Sequence, residues 1–139
     1  MRRNPEAQRR AAERRRRENE AERLREVVPE LRRFSLVIEE SCVSGVTDSV
    51  THIRRIVIER APALFDIPCC DRYCTDGGHN ITAHVMRALR AGRTRFEGSD
   101  LCAGTLKTGE CSRELRYVGE AVYERQKQQA TGNLQLVPA

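Results

Sequence analysis

The beginning of the chain is almost entirely polar, and its composition predicts one long helix. Residues 6–28 are rich in Ala, Arg, Glu and Gln, contain neither Gly nor Pro, and have no large apolar residue before Leu24. These residue types favour a helix, which Asn4 can cap and which Pro5 can begin. Because the first turns have no apolar face, we expect this arm to project into solvent or lie on a partner, with only its end packed on a domain.

After the arm, apolar and polar residues alternate with the period of a β-strand. Residues 34–39 and 52–60 are predicted to be two strands of an antiparallel hairpin, joined by a polar loop at 41–50. The apolar positions of the two strands are Phe34, Leu36, Ile38, Ile56 and Ile58.

The second half of the domain begins with a short amphipathic helix. Residues 81–91 have apolar positions at helical spacing, and Gly92 is a natural stop signal. Residues 94–101 and 114–124 are predicted to be two further strands, and the polar residues 126–139 a flexible tail. The apolar face of the helix consists of Ile81, Val85, Ala88 and Leu89.

Length and composition limit the chain to one small domain with extensions. The 139 residues are 39% hydrophobic and 4% aromatic, without Trp, which is a thin supply for a core. Small cores of this kind are commonly reinforced by a metal ion or by disulfides. We therefore predict a helical arm at 1–33, a reinforced domain at 34–125 and the tail at 126–139.

The formal charge of +5 is concentrated in the arm. Residues 1–33 contain twelve Arg and seven Glu, whereas the remaining residues contain thirteen basic and thirteen acidic side chains. A basic arm on a neutral domain is typical of proteins that bind nucleic acid.

Five of the six cysteines lie between residues 69 and 111. The amino-terminal residues have no apolar stretch typical of a secretory signal, and no segment is apolar enough to span a bilayer. We therefore expect a cytoplasmic protein in a reducing compartment, where clustered cysteines more often bind metal than form disulfides.

The cysteine spacing predicts one structural zinc ion. Zinc is usually held by two closely spaced ligand pairs from separate segments. One pair would come from Cys69 or Cys70 with Cys74, and the other from the ends of a turn that contains Gly104. The predicted ligands are Cys69, Cys74, Cys102 and Cys111.

Two further residues are possible ligands. Cys70 neighbours Cys69, which we favour because it directly follows the restricted Pro68. His79 could replace a thiol, donate to a cysteine sulfur, or be an exposed loop residue without a role. Cys42, far from the others in sequence, is expected to be a free thiol.

The two cysteine pairs resemble those of the zinc-ribbon class, over residues 69–111 only. The spacing departs from the usual form, because neither pair is separated by two residues and a helix intervenes. The resemblance implies a structural zinc and a role in docking nucleic acid or protein. Together with the predicted elements, it gives an α+β fold: a long N-terminal helix followed by a small zinc-stabilised ββ-knuckle-α-ββ antiparallel domain.

Other uses of the cysteines are less well matched to the pattern. Cysteines that are simply buried in a core have no reason to occur in two groups beside turns that contain Gly and Asp. A redox switch would favour the C-x-x-C spacing. A catalytic zinc would need an open position and a nearby base, but no H-E-x-x-H spacing is present. We therefore predict that the protein is not an enzyme.

Two functions fit the arm. In the first, its arginines bind the phosphates of RNA or of the ribosome, and two residues beside the cysteines add contacts. In the second, the protein is an adaptor or oligomerisation module: the solvated helix pairs with a protein through Leu24, Val27, Val28 and Leu31, and the domain offers a sheet edge. The predicted RNA-binding residues are Arg2, Arg3, Arg9, Arg10, Arg14, Arg15, Arg16, Arg17, Arg72 and Tyr73.

Overall fold

The alternating apolar residues form the inner face of a four-stranded antiparallel sheet. The computed structural model describes residues 5–42, 50–71 and 73–124. In chain order, the helices and strands of these residues are α1 (Pro5–Glu20), α2 (Leu24–Val27), β1 (Leu31–Cys42), β2 (Val50–Ile56), β3 (Asp66–Ile67), β4 (His79–Asn80), α3 (Thr82–Arg90), β5 (Arg95–Leu101), β6 (Thr105–Leu106), β7 (Gly109–Glu110) and β8 (Arg113–Tyr123).

The sheet has the strand order β2-β1-β8-β5. The hairpin of β1 and β2 is formed as predicted, with Phe34 opposite Ile56. β5 pairs with β8, and the longest pairing joins β1 to β8, from Leu31 opposite Tyr123 to Cys42 opposite Arg113. Two-stranded pairs of β3 with β4 and of β6 with β7 lie outside this sheet.

One face of the sheet is covered by α3 and by the end of the arm. Val85 and Leu89 of α3 are fully buried, and the ring of Phe34 contacts those of Phe65 and Phe96 at centroid distances of 5.7 and 5.9 Å. Each fully buried aliphatic side chain of this kind contributes about 1.5–3 kcal/mol. A mixed α and β fold with antiparallel sheets is therefore what the alternation and the helical spacing together specify.

The arm differs from the single helix predicted over residues 6–28. α1 ends at Glu20, and Arg23 forms an isolated β-bridge with Pro62. The amide of Leu24 donates to the Ala61 carbonyl at 2.9 Å, and the amide of Ala63 donates to the Glu22 carbonyl at 2.7 Å. Pairing with this neighbouring segment outweighs the helical propensity of residues 21–23, and it buries Leu24 in the core.

α1 also does not project freely from the domain. Arg17 forms an ion pair of 2.8 Å with Asp66 of β3, and the Arg10 guanidinium donates to the Cys74 carbonyl at 3.3 Å. The expectation that the first turns of the arm stand clear of the domain is therefore wrong. Polar contacts hold the helix, which explains why its sequence has no apolar stripe.

Other boundaries agree with the pattern more closely. α3, β5 and β8 lie within one residue of their predicted ends. β1 begins at Leu31, three residues earlier than predicted, and β2 ends at Ile56 because the chain turns there, with the Arg60 amide donating to the Val57 carbonyl. The predicted tail at 126–139 and most of the 41–50 loop lie outside the described residues. None of the described helices is long and apolar enough to cross a membrane.

Candidate metal centre

The cysteines lie at the ends of the two short strand pairs. Cys69 follows β3, and Cys74 lies in the turn between β3 and β4. Cys102 follows β5, and Cys111 follows the tight hairpin of β6 and β7. A backbone bridge connects these two segments, because Thr75 and Thr105 exchange amide-to-carbonyl hydrogen bonds of 2.8 and 3.0 Å.

This packing brings four sulfur atoms together. The Sγ atoms of Cys69, Cys74, Cys102 and Cys111 all lie within 4.8 Å of one another. Two of the separations are 3.8 Å, from Cys69 to Cys111, and 3.6 Å, from Cys74 to Cys102. A tetrahedron with metal–sulfur bonds of about 2.3 Å has edges of about 3.8 Å. The four cysteines are therefore placed to hold a metal ion.

Backbone amides point at two of these sulfurs. The amides of Gly78 and Gly104 donate to Cys102 Sγ at 3.3 and 3.4 Å, and the Asp71 amide lies 3.5 Å from Cys69 Sγ. Burial opposes ionisation of Cys102, but the hydrogen bonds from the Gly78 and Gly104 amides, together with those from Cys74 and Cys111, outweigh it and lower the pKa of this thiol. Such donors stabilise thiolate, which is the form that binds metal.

The other shifted thiols of the cluster resist ionisation on their own. Burial, together with the neighbouring cysteines Cys102 and Cys111, raises the pKa of Cys74 to about 12. Burial likewise raises the pKa of Cys69. Several thiolates at these separations repel one another unless a cation lies between them. The arrangement suits a metal centre better than a reactive nucleophile, which needs a low pKa and exposure.

Two glycines make room for the sulfurs. A Cβ atom on Gly77 would lie 2.3 Å from Cys74 Sγ and 2.5 Å from Cys102 Sγ. A Cβ atom on Gly104 would lie 2.3 Å from Cys74 Sγ. All three distances are far below a van der Waals contact, so only glycine fits at these two positions. Gly104 lies in the turn predicted between Cys102 and Cys111, and the space for the Cys74 sulfur is what requires a glycine there.

Of the adjacent cysteines, Cys69 enters the cluster and Cys70 does not. Cys70 is exposed, and its backbone amide donates to Glu40 Oε2 at 2.8 Å. The side chain of Cys42, which was expected to be a free thiol, lies outside the described part of the structure.

His79 lies beside the cluster and not in it. Its side chain is fully buried, with Nδ1 2.9 Å from Asp100 Oδ2 and Nε2 3.6 Å from Glu40 Oε2, the latter an ion-pair distance longer than a hydrogen bond. Because both ring nitrogens face carboxylates, His79 is not among the four clustered ligands. The interpretation of His79 as an exposed loop residue is also wrong, since it is the most deeply buried polar side chain described.

The two carboxylates and His79 stabilise one another's charged forms. Burial lowers the pKa of His79, but its contacts with Glu40 and Asp100 outweigh burial and raise the pKa overall. Burial also opposes ionisation of Glu40, yet His79 and the Cys70 amide lower its pKa to about 2. Asp100 precedes Cys102 by two residues and Glu40 binds the Cys70 amide, so His79 links both cysteine-bearing segments.

Sequence reasoning missed Glu40 as part of this site, although a signal was present. Glu40 continues the inward-facing series of β1 that begins at Phe34, so the alternation of the strand predicts that this charged residue is buried. Buried charged residues need partners. The partner, His79, lies on a separate strand, and its proximity could not be read from the chain.

The arginines of α1 divide into two groups. Arg10 and Arg14 are half-buried and line a cavity of about 170 Å³ together with Cys69, Cys74 and Gly77. Arg14 Nε is buried there without a hydrogen-bond partner. Arg9, Arg15 and Arg16 are exposed, and Arg17 is paired with Asp66.

Tyr73 is 68% exposed, whereas Arg2, Arg3 and Arg72 lie outside the described residues.

Comparison with known proteins assigns no relatives to this arrangement. No protein-family model, curated protein or solved structure matches the chain. The chain is therefore characterised by its own geometry, a cluster of four cysteine sulfurs placed to hold a metal ion.

Proposed function

We propose that the protein is a non-enzymatic, cytoplasmic RNA-binding protein whose domain is held together by a structural zinc ion. The observation that carries the proposal is the sulfur cluster, whose separations of 3.6 and 3.8 Å match the edges of a zinc tetrathiolate tetrahedron. RNA on the ribosome is the partner that we consider first, because the formal excess of charge is basic and concentrated in the arm.

Zinc would serve structure rather than catalysis in this site. Four thiolates complete its tetrahedral coordination and leave no position for water or substrate. The ion would neutralise the thiolate charges and tie the turn that bears Cys74 to the hairpin between Cys102 and Cys111. In a domain with a core of this size, such a link can contribute much of the free energy of folding.

The RNA contact would begin on the outward side of α1. Arg9, Arg15 and Arg16 are exposed there, although Glu13 and Glu20 share the same side of the helix. Each guanidinium can donate two hydrogen bonds to a phosphate. The contacts of Arg10 and Arg17 with the domain hold the helix in one orientation, which reduces the entropy lost on binding. Tyr73, exposed beside the cluster, can stack on an unpaired base.

The test measures RNA binding by the zinc-loaded full chain as salt is raised. Binding of a labelled single-stranded RNA should weaken steeply with salt, with a slope of about −0.7 for each phosphate neutralised. The variant Arg9→Gln/Arg15→Gln/Arg16→Gln should bind more weakly. A matched control, Arg25→Gln/Arg54→Gln/Arg93→Gln, removes the same charge at other exposed positions. Absence of RNA binding at low salt would refute the proposal.

An adaptor or oligomerisation module is the second candidate, and a specific observation supports it. β2 is an edge strand, and Ile53 on it is 63% exposed. Pairing through the arm is not available for this role, because Leu24, Val28 and Leu31 are buried in the core of the chain itself. Light scattering should then show a discrete oligomer that Ile53→Asp dissociates, and a monomer at high concentration would exclude this candidate.

A further inference from the structure

A second basic site lies on the four-stranded sheet, in a cleft that no described cysteine lines. Where β1 begins, β2 ends and β8 ends, the surface forms a cleft of about 540 Å³. Its lining includes Arg32, Arg33 and Arg55, all exposed, and the apolar side chains Val57 and Val122. The volume falls within the range of ligand-binding clefts.

A β-bulge directs two consecutive arginines into this cleft. Leu31 pairs with Tyr123 and Arg33 pairs with Val122, so Arg32 is an extra residue in β1. Consecutive residues of a regular strand point to opposite faces, and a bulge suspends that rule locally. It therefore allows Arg32 and Arg33 to line the same space.

β2 supplies the third arginine. Arg55 lies opposite Ser35, two residues along β1 from Arg33 and on the same face of the sheet. Its neighbour Arg54 lies opposite Leu36 and belongs to the other face. The three arginines therefore come from two strands and line one cleft.

These arginines form no ion pair with any carboxylate in the described part of the chain. None of the three is within ion-pair distance of a described carboxylate. Two acidic residues, Glu59 and Glu120, also line the cleft. Glu120 is paired with Arg95 at 3.3 Å, so Glu59 is the lining carboxylate without an ion pair among the described residues. Like charges close together on a sheet are unfavourable unless an anion joins them.

We propose that this cleft binds the phosphodiester backbone of RNA. The inference rests on the proposed function in that RNA is the partner, but it places a principal contact on the sheet instead of on α1. Planar guanidinium forks match the two free oxygens of a phosphodiester. Val57 and Val122, 49% and 51% exposed, offer apolar surface to the sugars.

The lining also indicates how the RNA is recognised. Among the described residues that line the cleft, Phe34 is the one aromatic residue, and it is 3% exposed, so it offers bases no ring to stack on. Phosphate contacts carry no sequence information by themselves. Binding in the cleft is therefore independent of RNA sequence.

The experiment compares three triple variants of the zinc-loaded full chain, with anisotropy of a labelled single-stranded RNA measured from about 50 to 200 mM salt. Arg32→Gln/Arg33→Gln/Arg55→Gln should weaken binding about tenfold or more at the lowest salt and reduce the salt slope by about 2, as expected for three phosphate contacts. The control Arg25→Gln/Arg54→Gln/Arg93→Gln should retain affinity within about twofold. The α1 triple variant is measured alongside.

The outcomes separate this inference from the proposed function. If the α1 variant loses RNA and the cleft variant does not, the inference is overturned and the proposed function stands. If the wild-type protein binds no RNA, both are overturned. If the cleft variant and the control weaken binding equally, the effect is one of total charge and the cleft is not a site.

Two further measurements test alternative explanations. The single variants Arg55→Gln and Arg54→Gln alter adjacent residues on opposite faces of β2, so only the former should weaken binding even if the triple variant unfolds. Adenosine monophosphate and inorganic phosphate are added as competitors. Displacement of the RNA by either at equal concentration would assign the cleft to a small phosphate ligand and overturn the assignment to RNA.

Discussion

His79 Nδ1 lies 2.9 Å from Asp100 Oδ2, in a position where the imidazole has no exposure to solvent. His79 follows Gly78, whose amide donates to Cys102 Sγ, and Asp100 precedes Cys102 by two residues. The ion pair therefore fixes the spacing between β4 and β5 on both sides of one clustered sulfur. Its loss should be felt at the cysteine cluster as well as in stability.

The first prediction concerns the dependence of stability on pH. The pKa of His79 is raised above its usual value of 6.5, so the stability that its carboxylate partners provide is fully present below pH 6.5 and is lost as pH rises through the folded pKa. The difference in unfolding free energy between wild type and His79→Gln should therefore shrink above pH 6.5, by at most about 1.4 kcal/mol per pH unit. Urea unfolding measures it, with both proteins held at the same saturating zinc concentration.

His52→Gln is the matched control for that measurement, because His52 has no ion-pair partner among the described residues. Because it breaks no described ion pair, His52→Gln should change the unfolding free energy less than His79→Gln does below pH 6.5. On the acid side, the contribution of Glu40 is present above its usual pKa of 4.5 and is lost as pH falls towards about 2. A His79→Gln difference that grew with pH would contradict the ion-pair geometry.

The second prediction concerns metal content. Native mass spectrometry should find one zinc ion per chain, and Cys102→Ser or Cys111→Ser should lose it and unfold at a much lower temperature. Structural zinc contributes about 10–16 kcal/mol of apparent binding free energy in small zinc-dependent domains. Cys70→Ser should retain the metal, because Cys70 lies outside the sulfur cluster. A folded, metal-free wild-type protein would contradict the zinc assignment.

The third prediction concerns the space around the sulfurs. Gly104→Ala introduces a Cβ atom 2.3 Å from Cys74 Sγ, so the sulfur must move away from the cluster. Zinc affinity, measured by competition with a chelator, should fall about 10–100-fold, as it does when groups around a metal site are displaced. Ala103→Ser changes the exposed neighbouring residue and should leave affinity unchanged. Equal affinity in the two variants would show that the sulfurs do not need this glycine.

The fourth prediction concerns Arg14, whose Nε is buried without a hydrogen-bond partner beside Cys69 and Cys74. Zinc with four thiolates carries a net charge of about −2, which a nearby guanidinium stabilises. Arg14→Gln should therefore release zinc to a chelator about tenfold faster than wild type. Arg15→Gln removes the same charge from an exposed position and should release zinc at the wild-type rate. Equal rates for both variants would mean that Arg14 does not act on the cluster.

The periodicity of the sequence was sufficient for much of the sheet and for α3. Phe34, Leu36 and Ile38 alternate as a half-buried strand must, and Val85 and Leu89 recur at helical spacing. The four clustered cysteines could be selected for a similar reason. Thiols that flank glycine-rich turns can be brought to one point by local chain reversals, and local reversals are visible in a sequence.

The arm shows where this reasoning stops. Helical propensity favoured one helix to residue 28, but the backbone pairing of Leu24 with Ala61 is worth more than the propensity of three residues. Nor does the sequence indicate that Arg10 and Arg14 lie against the cysteine cluster while Arg15 faces solvent. That division depends on where β3 and the cysteine turn lie beneath the helix.

By itself, then, the sequence predicted the four strands of the main sheet, α3 and the four cysteines that cluster, with Cys69 favoured over Cys70, because these follow from residue spacing along the chain. The tertiary structure alone decided the ion pairs of His79 with Glu40 and Asp100, the bulge that places Arg32 beside Arg33, and the seating of α1 on the cysteines. Each of these is a contact between residues distant in sequence. Its energy depends on burial and on partner geometry, which only the packed chain supplies.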